Sequence, residues 1–356
     1  MYNNLRLTAI ALLIMAGTTL MAQKKTLRAV WSSQKANAWY AQNQWLVGSD
    51  YIPSTAINQL EMWQADTFDL KQIDKELGYA QGIGMNVMRV FLHHLVWQED
   101  PNGFKKRVDQ YLAIADKHHI KTMFVFFDDC WNKEPKTGKQ PEPKPGIHNS
   151  GWMQDPGQPA SGNPANFPVL EKYVKDVLTR FANDKRILLW DLYNEPGNSG
   201  KGLKSLPLLK HAFEWSREVN ISQPVSAGLW KWDYEQLNAY QTANSDIITY
   251  HDYSPVDDHL KTIEFLKLLG KPLICTEYMA RTRNSLFGTV LPMLKKENVG
   301  AINWGFVAGK TNTKYAWDTP LTDGSEPKLW FHDIFHADGT PYIKEETDLI
   351  KSLANR

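Results

Sequence analysis

Eight short apolar segments with the composition of β-strands alternate along this chain with longer segments of helical periodicity. Such alternation is typical of parallel βαβ units, in which helices cover both faces of the sheet. Eight strands with intervening helices close naturally into a cylinder, so the sequence predicts the α/β class and a single-domain (β/α)8 TIM barrel. The predicted strands occupy residues 45–51, 85–92, 121–129, 187–194, 224–230, 247–253, 272–278 and 300–306.

The sequence predicts a leader, residues 1–22, followed by one domain, residues 23–356. That domain has an N-terminal extension, 23–44, and a closing segment with a final helix from Ser325 to the end. The segment from Trp131 to Pro168 is rich in Pro, Gly and Asn, and we expect it to be a long βα loop that forms a wall of a cleft. The other predicted helices lie at 70–81, 107–119, 169–183, 206–220, 260–269 and 285–296.

The first residues have the features of a secretory signal. Arg6 precedes an apolar run at 7–15, and small and polar residues then lead to Ala22, just ahead of Lys24 and Lys25. The run is shorter than the roughly 20 apolar residues that a membrane span needs. We therefore expect signal-peptide cleavage and export to the periplasm, the cell surface or the medium, with no membrane anchor in the mature form.

The charge balance and the cysteines narrow the classes of partner. A formal net charge of +1 leaves no overall field to hold nucleic acid or an anionic membrane, so we expect neither as a partner. We expect a monomer. The two cysteines, Cys130 and Cys275, fall at the third and seventh predicted strands, too far apart around a closed barrel for a disulfide.

Two carboxylates stand where predicted strands end. Glu195 lies in Asn194-Glu195-Pro196, and Glu277 follows the seventh apolar run. The functional site of a β/α barrel lies at the C-terminal ends of its strands, so both side chains should reach one mouth. Such a pair suits cleavage of a glycosidic bond, in which one carboxyl protonates the leaving oxygen and the other stabilises positive charge at the anomeric carbon. A gap of about 5–5.5 Å gives retention and about 6.5–9.5 Å inversion; the sequence leaves both open.

Five motifs together resemble those of clan A glycoside hydrolases, most closely family five. WDLYNEP and ICTEY are similar to its acid/base and nucleophile motifs, while MRVF, HDY and NWGF are similar to motifs of its second, sixth and eighth strands. The resemblance spans residues 45–306, with the motifs in the family's order. It implies a retaining β-glycoside hydrolase that acts on a β-linked polysaccharide or oligosaccharide without metal or organic cofactor.

The resemblance also implies roles for individual residues. Glu195 would be the general acid/base and Glu277 the nucleophile, while Arg89 and Tyr253 would keep Glu277 ionised and Asn194 would contact the sugar 2-hydroxyl. The remaining substrate-binding candidates are strand-end and aromatic residues, since pyranose faces stack on aromatic rings. The full predicted substrate-binding set is Arg89, Asn194, His251, Tyr253, Trp304, Asp128 and Trp131.

Two other functions and one other kind of site stay open at this level. A transglycosylase of the same fold would use the same covalent intermediate, and a non-catalytic carbohydrate-binding protein could occupy a degenerate barrel. The adjacent pairs His93-His94 and His118-His119 lack partners at recognised ligand spacing, and side chains adjacent on a strand point to opposite faces. We therefore predict no metal site.

Overall fold

The structure, a computed structural model, describes residues 27–158 and 160–354. Its strands all pair in parallel, in the order β5-β4-β3-β2-β1-β8-β7-β6. The gap between β5 and β6 is spanned by a bridge in which Leu229 N–H donates to Thr249 O (3.0 Å) and His251 N–H to Leu229 O (2.8 Å). The predicted (β/α)8 barrel is thus confirmed. The strands are β1 (Val47–Asp50), β2 (Val87–Phe91), β3 (Lys121–Asp128), β4 (Ile187–Asn194), β5 (Val225–Ser226), β6 (Ile248–His251), β7 (Leu273–Glu277) and β8 (Gly300–Asn303).

Helices cover the outside of the sheet, and those after β1, β2, β3, β4, β6 and β7 include the six predicted between strands, apart from their ends. They are α1 (Ser33–Tyr40), α2 (Gln59–Trp63), α3 (Leu70–Gly82), α4 (His94–Glu99), α5 (Pro101–Lys117), α6 (Phe167–Arg180), α7 (Leu206–Arg217), α8 (Glu235–Asn244), α9 (Val256–Lys267), α10 (Phe287–Lys296) and α11 (Lys344–Ala354). No helix within residues 27–158 and 160–354 is long and apolar enough to cross a membrane. The predicted signal peptide lies outside the described residues.

Several predicted boundaries are wrong for local reasons. Helix α5 begins six residues before the predicted start, because the Asp100 side chain accepts a hydrogen bond from Gly103 N–H (2.9 Å). Pro101 lies in the first turn, where backbone N–H groups have no partner within the helix and the missing N–H of proline costs nothing. The fifth predicted strand is reduced to two residues, with only Leu229 pairing beyond them. Helices α1, α2, α4 and α8 are not predicted; α8 buries only Leu237 and Gln241, which is too weak an apolar stripe to read from sequence.

The N-terminal extension closes one end of the barrel. Trp31, Ala36 and Tyr40 pack against an apolar layer inside the strands. That layer includes Val87, two residues before Arg89 and therefore on the same inward face of β2. With this end filled, the C-terminal ends of the strands form the open end. The other members of the layer are Leu46, Met123, Leu188, Leu189, Ile247, Ile274 and Ile302.

Candidate active site

A cavity of about 840 Å³ opens at the C-terminal ends of the strands. Glu195, directly after β4, and Glu277, the last residue of β7, both line it, with side chains 13% and 7% exposed. Its walls are rich in tryptophan, as a surface that stacks on sugar rings would be. The six tryptophans are Trp131, Trp152, Trp230, Trp232, Trp304 and Trp317.

The two carboxylates face each other across a short gap, with an oxygen of each within 4.8 Å of the other. His251, at the end of β6, lies between them: its Nδ1 is 2.8 Å from Glu195 Oε1 and 3.4 Å from Glu277 Oε2. Because both neighbours are acceptors, Nδ1 carries the hydrogen. Burial lowers the pKa of His251 to about 4, so the ring is a neutral donor at neutral pH. Glu195 also has a left-handed backbone (φ 43°), a strained conformation that is common at functional sites.

Glu277 is held by two further donors. Arg89 Nη1 donates to Oε1 (3.0 Å) and Tyr253 OH to Oε2 (2.9 Å). Burial raises the pKa of Glu277, while His251, the Arg89 charge and the Tyr253 hydrogen bond oppose that rise. Arg89 also bonds Asp50 (2.8 Å) and Asp191 (2.8 Å), so one positive charge is shared among three buried carboxyls. Arg89 therefore stabilises ionised Glu277 less than it would if Glu277 were its single carboxylate partner.

Glu195 has a different set of partners, two of which the sequence analysis missed. Cys130 Sγ–H donates to Glu195 Oε2 (3.3 Å), and Asn198 Nδ2 donates to the same oxygen. Burial and the nearby carboxylates Asp128 and Glu195 raise the pKa of Cys130 well above its usual value, so the sulfur stays a thiol that can donate. Burial raises the pKa of Glu195, and the Cys130 and Asn198 hydrogen bonds oppose it. In the sequence, only position could have pointed to these two partners: Cys130 lies at the end of β3, and Asn198 lies three residues after Glu195.

Two predicted substrate-binding residues lie behind the cavity and do not line it. Arg89 is fully buried, and its Nη2 donates to Asn194 Oδ1 (2.7 Å). Asp128 accepts from Asn194 Nδ2 (2.9 Å) and from Trp152 Nε1 (2.7 Å). A buried guanidinium and carboxylate need protein partners, and here they orient Glu277, Asn194 and Trp152. That Arg89 and Asp128 contact substrate stays a prediction.

The other predicted substrate-binding residues do line the cavity: Asn194, His251, Tyr253, Trp304 and Trp131. Trp304 packs edge-on against Trp152, with ring centroids 5.3 Å apart, and is 8% exposed. Trp131 is 40% exposed at the rim, with its ring 5.4 Å from that of His148. Tyr253 packs against Trp317 at 4.9 Å.

Within residues 27–158 and 160–354, two clusters have ligand atoms close enough to bind a metal ion: Glu195 with His251 and Glu277, and His93 with His94 and Asp155. In the second, His93 caps α4 and does not extend β2, so the two rings stack at 5.3 Å and do not point to opposite faces as expected. His93 Nδ1 accepts from Leu95 N–H (3.2 Å), and His94 Nδ1 bonds Asp155. The lone pair of His93 Nδ1 is therefore occupied, and this cluster fastens the loop after β3 to α4.

A family model described as cellulase (glycosyl hydrolase family 5) matches residues 33–309. The comparison with curated proteins finds no match. Among solved structures, the endo-beta-1,4-mannanase from Thermotoga petrophila is 16% identical, with a TM-score of 0.57, over 89% of this chain and 77% of that one. GH5_18 from Streptomyces cattleya in complex with GlcNAc is 11% identical (TM-score 0.58; 88% and 80%), and the endo-1,4-beta-mannanase from Rhizomucor miehei 15% (0.55; 88% and 94%). At such identities the structural likeness shows the fold alone.

Proposed function

Because the chain belongs to glycosyl hydrolase family 5 and is a glycoside hydrolase acting on β-glycosides, we propose that it cleaves a β-linked polysaccharide or oligosaccharide with retention of configuration. One observation carries the proposal: oxygens of Glu195 and Glu277 lie within 4.8 Å of each other. Retaining enzymes hold their carboxyls about 5–5.5 Å apart, whereas inverting enzymes need about 6.5–9.5 Å to admit a water molecule.

The proposed reaction has two displacements. In the first, Glu277 attacks the anomeric carbon while Glu195 gives its proton to the glycosidic oxygen, so that one C–O bond forms and another breaks. In the second, ionised Glu195 takes a proton from water, whose oxygen attacks the same carbon and releases Glu277. Glu195 ends protonated again, and no cofactor is consumed.

The partners of the two carboxyls support this division of roles. Burial raises the pKa of both groups, and each charge disfavours the other, so the pair favours holding one proton. Arg89 donates a charged hydrogen bond to Glu277. In the part of the chain that the structure describes, Glu195 receives hydrogen bonds only from neutral groups, namely Cys130, Asn198 and His251. The proton is therefore favoured on Glu195, which suits a general acid facing a nucleophile.

Replacing the proposed nucleophile tests the covalent step. Glu277→Ala should abolish turnover, because no carboxylate then faces the anomeric carbon. Azide should restore part of the activity and give a glycosyl azide of inverted configuration, which product analysis by nuclear magnetic resonance detects. Unchanged turnover in Glu277→Ala would exclude this role.

Replacing the proposed acid tests proton donation. Glu195→Ala should slow substrates with poor leaving groups, such as unactivated oligosaccharides, far more than aryl glycosides with acidic phenols, because only the former need protonation. Steady-state kinetics on the two substrate classes measure this. Equal losses on both classes would count against Glu195 as the acid.

The alternatives left open by the sequence separate by experiment. Family membership and the paired carboxylates favour an enzyme over a non-catalytic binding protein. A transglycosylase would form the same intermediate, but its main products would be longer glycosides when acceptor sugars are present. Treatment with EDTA should leave activity unchanged, because we propose that Glu195, His251 and Glu277 act on sugar and bind no metal.

The remaining proposals concern the mature protein. We propose that it is exported after signal-peptide cleavage and acts as a monomer on carbohydrate, without nucleic-acid or membrane partners. N-terminal sequencing of the exported chain should begin near residue 23, and its mass in solution should be that of a single chain. An N-terminus still at Met1 would contradict the cleavage proposal.

A further inference from the structure

The segment between β3 and α6 crosses the mouth of the barrel and contacts elements beyond its own strand. It docks on α2, which follows β1: Asn58 Nδ2 donates to Gln140 Oε1 (2.8 Å) and to Gly151 O (2.8 Å). Gln59 Nε2 donates to Met153 O (3.0 Å). The segment therefore covers the sector of the mouth over β2 and β1.

The same segment is also bonded to the chain after β8. Asn149 N–H donates to Thr311 O (2.8 Å), and Leu321 N–H donates to Gly146 O (3.1 Å). His148 Nδ1 lies 2.8 Å from Tyr315 O. We call residues 144–153 and 311–321 together the wall. Because the wall joins the loops of β3 and β8 above β1 and β2, the cavity is closed along that side.

The side of the cavity near Glu195 has a different construction. There the rim is built from the segments directly after β4, β5 and β6, and Trp230 Nε1 donates to Pro196 O (3.1 Å) along the rim. Trp232, which also lines the cavity, is 43% exposed. A ligand can therefore extend past Trp232 into solvent on this side, whereas the wall stops it on the other.

The proposed chemistry sets the direction in which a substrate must lie. Glu195 protonates the leaving oxygen, so the departing part of the substrate extends on the side of Glu195 and Trp232. The sugar attacked by Glu277, together with anything attached to its non-reducing end, then points toward the wall. The closed end of the cavity therefore receives the non-reducing end of the substrate.

Asn149 stands in the wall with an unused amide. It is 1% exposed and lines the cavity, yet neither its Nδ2 nor its Oδ1 has a hydrogen-bond partner among the described residues. A buried amide without partners costs about 1–3 kcal/mol for each unmet group, and such groups in folded proteins usually have a reason to be there. A side-chain amide offers both a donor and an acceptor, which is the combination that two neighbouring hydroxyls of a sugar can use.

We propose that Asn149 binds the non-reducing-end sugar and that the wall limits the enzyme to removing short units from chain ends. This inference rests on the proposed glycoside hydrolysis and adds the substrate class, namely the non-reducing ends of β-linked oligosaccharides. An enzyme that cuts chains internally needs a groove open past both carboxylates, and the wall closes one direction.

The product pattern tests the mode of action. Reducing-end-labelled β-1,4 hexaoses of glucose, mannose and xylose are digested, and the labelled fragments are separated over time. The series that is hydrolysed should lose one fixed short unit at a time from the unlabelled end. Early labelled fragments of many lengths would overturn the inference. Dependence on Glu277 separates the two proposals: internal cleavage that Glu277→Ala abolishes leaves the hydrolase assignment standing, whereas cleavage that persists in Glu277→Ala removes both.

Two substitutions test Asn149 itself. Its backbone is left-handed (φ 47°), so Asn149→Gly removes the amide without strain, and Asn149→Asp keeps the shape but loses the donor. Both should raise KM on the hydrolysed series about tenfold or more, as expected when a buried hydrogen bond to substrate is lost. Asn149→Gly should keep or raise the Tm, because an unpaired buried amide is gone.

Asn220 provides a matched control for the Asn149 substitutions. Asn220, an exposed asparagine outside the cavity, should tolerate Asn220→Ala with unchanged KM. An Asn149→Gly variant with unchanged KM, or one whose only change is a lower Tm, would show a purely structural residue and overturn the assignment.

Discussion

The positive charge of Arg89 stabilises several buried polar residues around it. It bonds Asp50, Asp191 and Glu277, and also the amide of Asn194. A single guanidinium can reach all four because its donors fan out in one plane. Burial raises the pKa of Asp50 well above its ordinary value and also raises that of Asp191, with Arg89 opposing both, so this cluster is stable only while the guanidinium stays in place.

Arg89→Lys should therefore fail to preserve the site despite keeping the charge. A lysine ammonium cannot make the planar set of bonds, and uncompensated buried carboxyls typically cost about 3–5 kcal/mol of unfolding free energy. Denaturant unfolding measures the loss, and kcat should fall with it. A variant of wild-type stability would contradict the proposed dependence on Arg89.

Cys130 gives a pH-dependent prediction. Its thiol donates to Glu195 and so stabilises the ionised form of that carboxyl. In Cys130→Ala that hydrogen bond is lost and the pKa of Glu195 rises further, so Glu195 stays protonated to higher pH. The alkaline limb of kcat/KM, which reports the acid, should move to higher pH.

The other buried thiol supplies the control for this shift. Cys275 donates to the backbone oxygen of Glu277 and, among the residues described, to no carboxylate, so Cys275→Ala should leave the alkaline limb in place. An unshifted limb in Cys130→Ala, or a shift toward lower pH, would contradict the role given to the thiol.

At the scale of single residues, the sequence predicts the paired carboxylates better than their surroundings. Glu195 and Glu277 could be recognised because each ends an apolar strand in a motif of its own. Asn149 and Cys130 could not, because their roles depend on contacts with residues far away in the chain. That Arg89 and Asp128 lie beneath the cavity could not be predicted either, because a strand-end position does not tell whether a side chain reaches the cavity.

At the scale of elements, the long segment after β3 departs most from expectation. The sequence predicts a loop without regular structure. The structure instead shows a bridge between Asp128, the last residue of β3, and Asp155, a second between Asn132 and Met153, and last residues that already belong to α6. Strands and outer helices follow local periodicity and could be predicted. The path of this segment could not, since it is fixed by hydrogen bonds to α2 and to the chain after β8.

Gly146 offers a way to open the wall. Its backbone is left-handed (φ 68°), and a Cβ added there would lie 1.6 Å from Leu321 O. Gly146→Ala should therefore separate the two halves of the wall and speed proteolytic cleavage within residues 144–153. Limited proteolysis followed by mass spectrometry measures this rate.

Gly138, in the same segment, isolates the effect of the clash. It is also left-handed (φ 90°), but a Cβ there would meet nothing within 4 Å. Both alanine variants carry a left-handed strain of about 1–2 kcal/mol, and only Gly146→Ala adds a collision with backbone. Equal cleavage rates in the two variants would show that the contact between the halves does not hold the wall.

At the scale of the whole molecule, stability and chemistry lie at opposite ends of the barrel. The N-terminal end is filled by the extension and fastened through Asp246, just before β6. Asp246 accepts from Arg28 (3.1 Å), from Arg217 (3.0 Å) and from the backbone N–H of Trp31 (2.8 Å). The C-terminal end carries the carboxylates. This division is general among β/α barrels, and the sequence predicts it from where the polar residues fall.

Asp246→Ala should separate the two properties. Losing this buried carboxylate leaves two arginines uncompensated, so the unfolding free energy should fall by about 3–5 kcal/mol. At temperatures where the variant remains folded, kcat should be unchanged, because Asp246 does not line the cavity. Chemical denaturation measures the unfolding free energy, and steady-state kinetics measure kcat. A comparable loss of both would contradict the separation of stability from chemistry.

The central claim is that Glu277 stands close enough to Glu195 to attack the anomeric carbon itself, with no water molecule between Glu277 and the sugar. The most direct test is the configuration of the product at the moment of release. A β-glycoside that the enzyme hydrolyses is followed by proton nuclear magnetic resonance from the first turnovers. We expect the β-anomer to appear first and the α-anomer to grow only by mutarotation; an α-anomer formed first would contradict the claim.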